Sequence, residues 1–204
     1  MKQSFEGRFN DTFWALWEEK IVPYLSDSPV VLDLGAGPGL FLRALVNRYP
    51  NAKAYGVECA PYMLEAVEDL PPNAQIIDAD LHDPHLPLAD KSVDVAVASV
   101  VIHEMLQPIK TLFEIQRCLK PGGVFYILDW VRALLPMYLQ NSDVKPFDKA
   151  TSPEVLEDLF VHFIEHNRFS REDLDFLLQN TGFDIIDSTP LLGGRQAWIL
   201  ARIW

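Results

Sequence analysis

Three glycines and one glutamate have a spacing that suits a bound nucleotide or a related ligand. The run VVLDLGAGPGL, residues 30–40, places Gly35, Gly37 and Gly39 directly after an apolar stretch. Glycines at the turn from a strand into a helix let the backbone approach a ligand and leave free N–H groups at the helix start. Glu58 ends the next apolar stretch about 20 residues later, where a carboxylate can accept hydrogen bonds from both hydroxyls of a ribose. The pattern therefore predicts a ligand that contains a ribose.

A sheet must position these residues, and the chain contains short apolar runs that are typical of strands. The runs cover residues 30–34, 52–58, 74–80, 93–101, 123–130, 183–189 and 196–203. Most of the first five are separated by stretches with helical spacing, which indicates a parallel sheet with helices on both faces. The last two runs flank a Gly-Gly turn with no room for a helix, so they must pair antiparallel. We expect a doubly wound α/β fold whose seven-stranded sheet is mostly parallel and has an antiparallel last strand.

Two segments lie outside this alternation of strands and helices. Residues 5–25 are expected to form an N-terminal helix that ends near Pro23 and carries Phe9, Phe13, Trp14 and Trp17. Residues 131–168 form an insertion after the fifth strand, with a helix that begins at Ser152 and has Pro153 at its first position. Additions of this kind on an α/β sheet usually carry specificity. We therefore expect them to close the pocket for a substrate that binds beside the ribose-containing ligand.

The length and the composition favour one domain. A chain of 204 residues, of which 49% are hydrophobic, is long enough for one well-buried domain and short for two. We therefore expect a single domain over residues 1–204, with residues 1–28 as an N-terminal helical cap and residues 131–168 as a helical insertion and candidate substrate lid.

The charge and the cysteine count limit the partners. Acidic residues outnumber basic ones, 29 against 17, and no run of Lys or Arg breaks the net charge of −12, so we expect no nucleic acid partner. Cys59 and Cys118 are too few for a disulfide framework, which fits a reducing compartment. The chain has no run of about 18 apolar residues, so we expect no membrane association and a cytoplasmic location. The oligomeric state stays open.

Four motifs in order along the chain resemble those of one enzyme family. The dinucleotide fingerprint GxGxxG requires Gly or Ala where this chain has Leu40. VLDLGAGPG, with an acid ahead of the first glycine, resembles instead motif I of the class I S-adenosylmethionine-dependent methyltransferases. GVECAPYML, ADLHDPHLPLADKSVDVAVAS and EIQRCLKPGGVFYILD are similar to the later motifs of that family. The resemblance covers about residues 28–131 and 170–204, and it implies a Rossmann-like methyltransferase fold with S-adenosylmethionine as the cofactor.

The resemblance also assigns residues to parts of the cofactor. It implies that Asp33 and the glycine loop lie near the amino-acid end, that Glu58 holds the ribose, and that Asp80 accepts a hydrogen bond from the adenine amino group. The full set of cofactor residues that we expect is Asp33, Gly35, Ala36, Gly37, Gly39, Glu58, Cys59, Met63, Asp80, Leu81 and Ser99. A sulfonium ligand carries no phosphate, so here the glycines serve close approach more than anion binding. Cys59 is expected to pack against the adenine rather than to act as a nucleophile.

The residues that would contact the methyl acceptor are expected in the loops after the fourth and fifth strands. These loops supply His103 beside Glu104, and Asp129 beside Trp130. His103 is the preferred general base, although a His followed by Glu can instead order the loop; Asp129 is a second candidate or an ordinary strand-end cap. The substrate residues that we expect are Phe9, Trp14, His103 and Trp130.

One string, HFIEH at residues 162–166, matches a zinc pattern in which two imidazoles lie one helical turn apart. The apolar stripe of its helix lies on the other side, and nothing indicates a further acidic ligand. His82 and His85 are expected to be solvated loop residues. We therefore predict no metal site.

The type of acceptor is predicted from motifs that are missing. The string [DNS]PP[YFW] of DNA amino-methylating enzymes would follow the fourth strand, where this chain reads SVVIHEM. Arginine methyltransferases need two glutamates there, and only Glu104 is near. We expect a small-molecule acceptor, with O, N, S and C all open as the accepting atom. The alternatives are an NAD(P)-dependent oxidoreductase, disfavoured by Leu40 and the antiparallel last strand, and a non-catalytic S-adenosylmethionine-binding protein.

Overall fold

Seven strands form one mixed sheet at the centre of the protein. The computed structural model describes residues 9–166 and 168–203. The strands are β1 (Val30–Leu34), β2 (Lys53–Glu58), β3 (Ala74–Asp78), β4 (Val93–Ser99), β5 (Leu119–Trp130), β6 (Asp184–Leu191) and β7 (Gln196–Arg202). Their order is β3-β2-β1-β4-β5-β7-β6. The first five strands run parallel, and β7 is antiparallel to both of its neighbours. The predicted α/β class, sheet and antiparallel last strand are confirmed.

Helices cover both faces of the sheet, because its strands are apolar on both sides. The helices are α1 (Asp11–Lys20), α2 (Leu40–Arg48), α3 (Pro61–Leu64), α4 (Ile109–Cys118), α5 (Leu135–Gln140), α6 (Pro153–His166) and α7 (Arg171–Asn180). Val31 packs with α1 and α2 on one face, whereas the next residue, Leu32, packs with α4 and α7 on the other. This alternation along β1 is the period-two pattern of a strand that is buried on both faces. None of the helices in the described part of the chain has the length and the apolar character that a membrane crossing requires.

The N-terminal helix is shorter than expected and covers the sheet. It begins after Asn10, whose side chain accepts the Phe13 N–H at 3.1 Å, and residues 5–8 of the predicted segment lie outside the described residues. Phe13 and Trp17 are only 5% and 1% exposed. Their rings lie 6.0 and 5.8 Å from that of Phe41 in α2. Helical spacing thus places Phe13 and Trp17 on the buried side of α1, towards the sheet.

The insertion contains the predicted helix. α6 begins at Pro153, and the Val155 N–H donates to the Ser152 hydroxyl at 3.5 Å. The shorter α5 precedes it and is the first helix after β5.

Two strands end earlier than predicted. β3 ends at Asp78, so Asp80 lies in the loop that follows it, and β4 ends at Ser99, so Val100 lies in the next loop.

Candidate functional site

A cavity of about 480 Å³ opens where β1, β2 and β4 end at their carboxyl edges. Parallel strands place these ends at one edge of the sheet, which is where ligands bind in open α/β folds. Ten of the expected cofactor residues line this first cavity, namely Asp33, Gly35, Ala36, Gly37, Glu58, Cys59, Met63, Asp80, Leu81 and Ser99. Gly39 is the exception. It precedes α2 with a φ of 78°, and a Cβ there would lie 3.0 Å from Leu70, so it serves the turn into the helix.

The glycines of the loop have different physical constraints. Gly35 and Gly37 both adopt a positive φ, of 65° and 54°. A Cβ on Gly35 would lie 2.5 Å from a Val101 methyl, so packing against the protein excludes a side chain there. A Cβ on Gly37 would meet only Met63 Sδ, at 3.7 Å. Gly37 therefore leaves space that belongs to the cavity, whereas Gly35 leaves space that the protein itself fills.

A further glycine, which the sequence analysis did not single out, lets the loop lie close to the sheet. Gly56 lies within β2, and a Cβ there would lie 2.5 Å from the Ala36 Cβ. The Ala36 N–H donates to the Val57 carbonyl at 2.9 Å, which ties the loop to β2. A glycine inside a strand often marks such a close backbone approach, and this signal was present in the sequence.

Glu58 ties the end of β2 to the glycine loop. Its Oε2 accepts the Gly37 N–H at 2.9 Å, and its Oε1 accepts the N–H groups of Cys59 and Ala60, each at 2.9 Å. A carboxylate has about four lone-pair positions. Three of these positions already accept backbone N–H groups. One ribose hydroxyl can donate to the fourth position, whereas a second hydroxyl would have to share or replace one of the backbone hydrogen bonds.

A turn closed by Asp80 lines one part of the first cavity. Asp80 Oδ1 accepts the His82 N–H at 2.8 Å and lies 2.9 Å from His82 Nδ1. These bonds from the His82 backbone and then its side chain lower the pKa of Asp80, which keeps the carboxylate charged at the rim of the cavity. Asp80 thus both closes the turn and lines the cavity.

The thiol of Cys59 is held in its neutral form. Partial burial, followed by the charges of Glu58 and Asp80, raises its pKa. A protonated thiol is a poor nucleophile, so the geometry favours a packing role for Cys59.

Four carboxylates line the first cavity, and no Lys or Arg is among its described lining residues. The carboxylates belong to Asp33, Glu58, Asp80 and Glu104. Such a lining attracts a cationic ligand and disfavours the pyrophosphate of a dinucleotide, because four nearby negative charges would repel it.

Asp129 and His103 form a buried pair beneath the loop that follows β4. Asp129 is fully buried, and its Oδ2 accepts the N–H groups of Val101 and Ile102 at 3.0 and 2.6 Å. Its Oδ1 accepts the Trp130 N–H at 2.7 Å and the His103 Nδ1–H at 2.6 Å. Asp129 therefore orders the loop and orients the imidazole, and it does not line the first cavity.

The second nitrogen of His103 faces Glu104. Its Nε2 lies 3.1 Å from Glu104 Oε1, and the Glu104 side chain is 61% exposed. Burial lowers the pKa of His103, but the hydrogen bond and charge of Asp129, with those of Glu104, outweigh it and raise the pKa above its ordinary value. Both ring nitrogens are thus paired with carboxylates.

The loop after β4 also contains a strained residue that the sequence did not signal. Val100 has a φ of 58°, and a β-branched residue is an outlier there. It is held in place because its N–H donates to the Leu128 carbonyl at 2.9 Å, while Asp129 binds the next two N–H groups. Val100 lines the first cavity. Strain of this kind persists where neighbouring contacts fix the backbone, and it is concentrated at functional sites.

A second cavity, of about 410 Å³, lies between the end of β5 and the insertion. His103 and Trp130 line it, as do Tyr138 of α5, His162 of α6 and Arg195 at the start of β7. The sequence analysis did not predict Tyr138 and Arg195. The Tyr138 hydroxyl lies 2.6 Å from His162 Nδ1. Within the described residues, no group of three His, Cys, Asp or Glu side chains is arranged to hold a metal ion.

The remaining two expected substrate residues lie elsewhere. Phe9 lines the first cavity and stacks on Phe41 with ring centroids 4.7 Å apart. We expected Trp14 to face the acceptor cleft, but it lines neither cavity: its ring stacks on Phe41 at 6.1 Å and lies 5.2 Å from the Arg48 guanidinium. The reason is the rotation of α1, which turns Phe13 and Trp17 to the core and leaves Trp14 at the edge of α2.

The sequence of the chain is similar to those of known methyltransferases. Residues 32–127 match the family described as "Methyltransferase domain". Demethylmenaquinone methyltransferase of Chlamydia trachomatis is 33% identical over 125 residues, which are 60% of this chain and 55% of that protein. This alignment thus spans only about half the length of the relative. The protein of the same name from Chlamydia muridarum is 30% identical over 194 residues, which cover 91% of this chain and 85% of that one.

A solved structure shares the fold of this chain. A SAM dependent methyltransferase from Aquifex aeolicus superposes with a TM-score of 0.67 at 21% identity, covering 98% of this chain and 93% of that chain. At this identity the likeness shows the fold, while the longer sequence alignment shows the relationship. The chain therefore belongs to the class I S-adenosylmethionine-dependent methyltransferase family.

Proposed function

We propose that the first cavity binds S-adenosylmethionine and that the enzyme transfers its methyl group to a small-molecule acceptor. The observation that carries this proposal is the lining of four carboxylates around a glycine loop, without a described Lys or Arg. S-adenosylmethionine is a ribonucleoside with a positive sulfonium and an ammonium group, so this lining matches its charge. When bound, it supplies an electrophilic methyl group that an acceptor nucleophile attacks in line.

The residues present suit the parts of this cofactor. Gly37 leaves room for close approach of the ligand to the backbone. Glu58 has a remaining position for a ribose hydroxyl, and Asp80 lies at the rim for the adenine amino group. Leu81 and Met63 offer apolar surface for the adenine ring. These roles, together with Asp33 at the amino-acid end, are our assignment of the site.

A small molecule is the acceptor that the chain favours. The relatives named demethylmenaquinone methyltransferase act on a small molecule by that name. The net charge of −12 opposes the binding of nucleic acid. The second cavity, at about 410 Å³, has the size of a small-molecule pocket.

We propose a single domain over residues 1–204, because one sheet takes strands from Val30–Leu34 through Gln196–Arg202 and α1 packs on it.

The insertion and His103 have proposed roles beside this acceptor. Residues of α5 and α6 wall the second cavity, which supports the insertion as a cover for the substrate. His103 lines the same cavity, where it is a candidate base once Nε2 has released its proton. Its pairing with Asp129 and Glu104 equally supports a role in ordering the loop.

A ligand-binding experiment tests the cofactor assignment against the alternatives. S-adenosylmethionine and S-adenosylhomocysteine at a hundredfold their dissociation constants should stabilise the protein by about 2.7 kcal/mol, whereas NAD should not. Thermal unfolding with each ligand measures this. Stabilisation by NAD alone would favour the oxidoreductase alternative. Stabilisation by S-adenosylmethionine with no S-adenosylhomocysteine formed across a broad acceptor panel would favour a non-catalytic binding protein.

Replacement of Glu58 tests the ribose contact. Glu58→Ala should weaken S-adenosylmethionine binding by about 1.5 to 3 kcal/mol, the usual contribution of a hydrogen bond to a charged group. Isothermal titration calorimetry measures the affinity. Glu58→Gln retains an acceptor oxygen and should lose less, and Glu65→Ala, an exposed acid outside the cavity, should bind normally. An unchanged affinity in Glu58→Ala would exclude Glu58 from the site.

A further inference from the structure

Two neighbouring residues that are in contact line different cavities. His103 lines the second cavity and Glu104 lines the first, and their facing atoms are 3.1 Å apart. His103 is buried and fixed by Asp129, whereas the Glu104 side chain is 61% exposed. A ligand in the second cavity therefore lies directly beside the proposed cofactor site, and Glu104 can turn toward solvent without disturbing the core.

Arg195 presents an uncommitted cation to the second cavity. Its guanidinium lies 5.8 Å from the centroid of the Trp130 ring, and the residue is half-buried. Within the described residues no carboxylate lies at ion-pair distance from it, although Arg43, Arg48, Arg117, Arg132 and Arg171 all have such a partner. Arg168, which is also half-buried, donates instead to the Glu104 carbonyl at 2.6 Å. Arg195 differs because it lines a cavity and no carboxylate of the described residues pairs with it.

The backbone holds Arg195 at a defined place. The Val131 N–H donates to the Arg195 carbonyl at 3.0 Å, and the next residue, Gln196, pairs with Trp130 in the sheet. The side chain thus starts beside the end of β5, and its guanidinium lies over the Trp130 ring. A guanidinium presents N–H donors in a fork that matches the two oxygens of a carboxylate.

We propose that the second cavity binds the methyl acceptor and that Arg195 recognises a carboxylate on it. This inference rests on the proposed function, because it takes the first cavity as the cofactor site. The aromatic rings of Trp130 and Tyr138 provide walls for an apolar or planar body. A singly charged carboxylate fits better than a phosphate ester, because Asp143 lines the same cavity and repels a second negative charge.

Paired carboxylate and amide probes test this recognition. Acetate, benzoate and cinnamate would be compared with acetamide, benzamide and cinnamamide by ligand-observed NMR titration, with S-adenosylhomocysteine present. In the wild type at least one carboxylate should bind about tenfold more tightly than its amide, since hydrogen bonds to a charged group contribute that much. Arg195→Met should abolish the difference, and Arg195→Lys should retain part of it.

Matched measurements separate the possible failures. Arg132→Met removes a nearby arginine that pairs with Asp173 outside the cavity, and it should bind the probes as the wild type does. S-adenosylhomocysteine affinity should be the same in the wild type and Arg195→Met. If no carboxylate is preferred over its amide, or if Arg195→Met retains the preference, the inference about Arg195 is overturned. If S-adenosylhomocysteine does not bind the wild type, the proposed function itself fails.

Discussion

Gly37→Val is expected to abolish S-adenosylmethionine binding while the protein stays folded. Gly37 has a φ of 54°, and a Cβ there meets only Met63 Sδ, at 3.7 Å, so the branched side chain would extend into the first cavity. The left-handed backbone costs a non-glycine residue about 1 to 2 kcal/mol, and somewhat more for a β-branched one. Typical domain stabilities of about 5 to 15 kcal/mol tolerate this loss. Calorimetry would measure the affinity, and thermal unfolding the fold.

A second glycine provides the matched control for backbone strain. Gly122 has a φ of 78°, and a Cβ there meets nothing within 4 Å. Gly122→Val therefore introduces similar strain at a position that does not line the first cavity, and it should bind S-adenosylmethionine normally. A Gly37→Val protein with wild-type affinity would mean that the glycine loop does not approach the cofactor.

Asp129→Ala should lower the free energy of unfolding by about 3 to 5 kcal/mol, as expected when one member of a buried ion pair is removed. The substitution leaves the N–H groups of Val101, Ile102 and Trp130 without their acceptor, and it removes the partner of His103. The strained Val100 backbone would then lose the contacts that hold the loop after it. Denaturant unfolding measures the effect. A loss under about 1 kcal/mol would contradict our view that this carboxylate orders the loop.

His103→Gln separates the loop-ordering role of the pair from a catalytic one. Because the pKa of His103 is raised in the folded protein, its ion pair stabilises the fold at pH values below its unfolded pKa of about 6.5. That contribution is lost as the pH rises through the folded pKa, so His103→Gln should remove this pH dependence of unfolding. It should lower kcat by about 10² if His103 is the general base, and only slightly if it orders the loop.

The lining of the first cavity was largely predictable because its residues depend on local geometry. The glycine loop lies in one strand-turn-helix unit, and Glu58 ends the neighbouring strand. Parallel strands then bring such ends to one edge of the sheet whatever the rest of the chain does. Strand ends were less predictable: the apolar run 93–101 continues past β4, whereas the backbone turns at Val100 because Asp129 binds the N–H groups beyond it.

The lining of the second cavity could not be predicted in this way, because its residues come from segments far apart in the chain. His103, Trp130, His162 and Arg195 meet only after β7 has paired with β5 and the insertion has folded against them. The direction of Trp14 depends on the rotation of α1, which is set by the packing of its neighbours on Phe41. The sequence alone therefore determined the fold, the family and the edge of the sheet at which the first cavity lies, since these follow from short-range patterns repeated along the chain. The tertiary structure alone decided which side chains share the second cavity, because long-range packing selects among orientations that the sequence leaves equivalent.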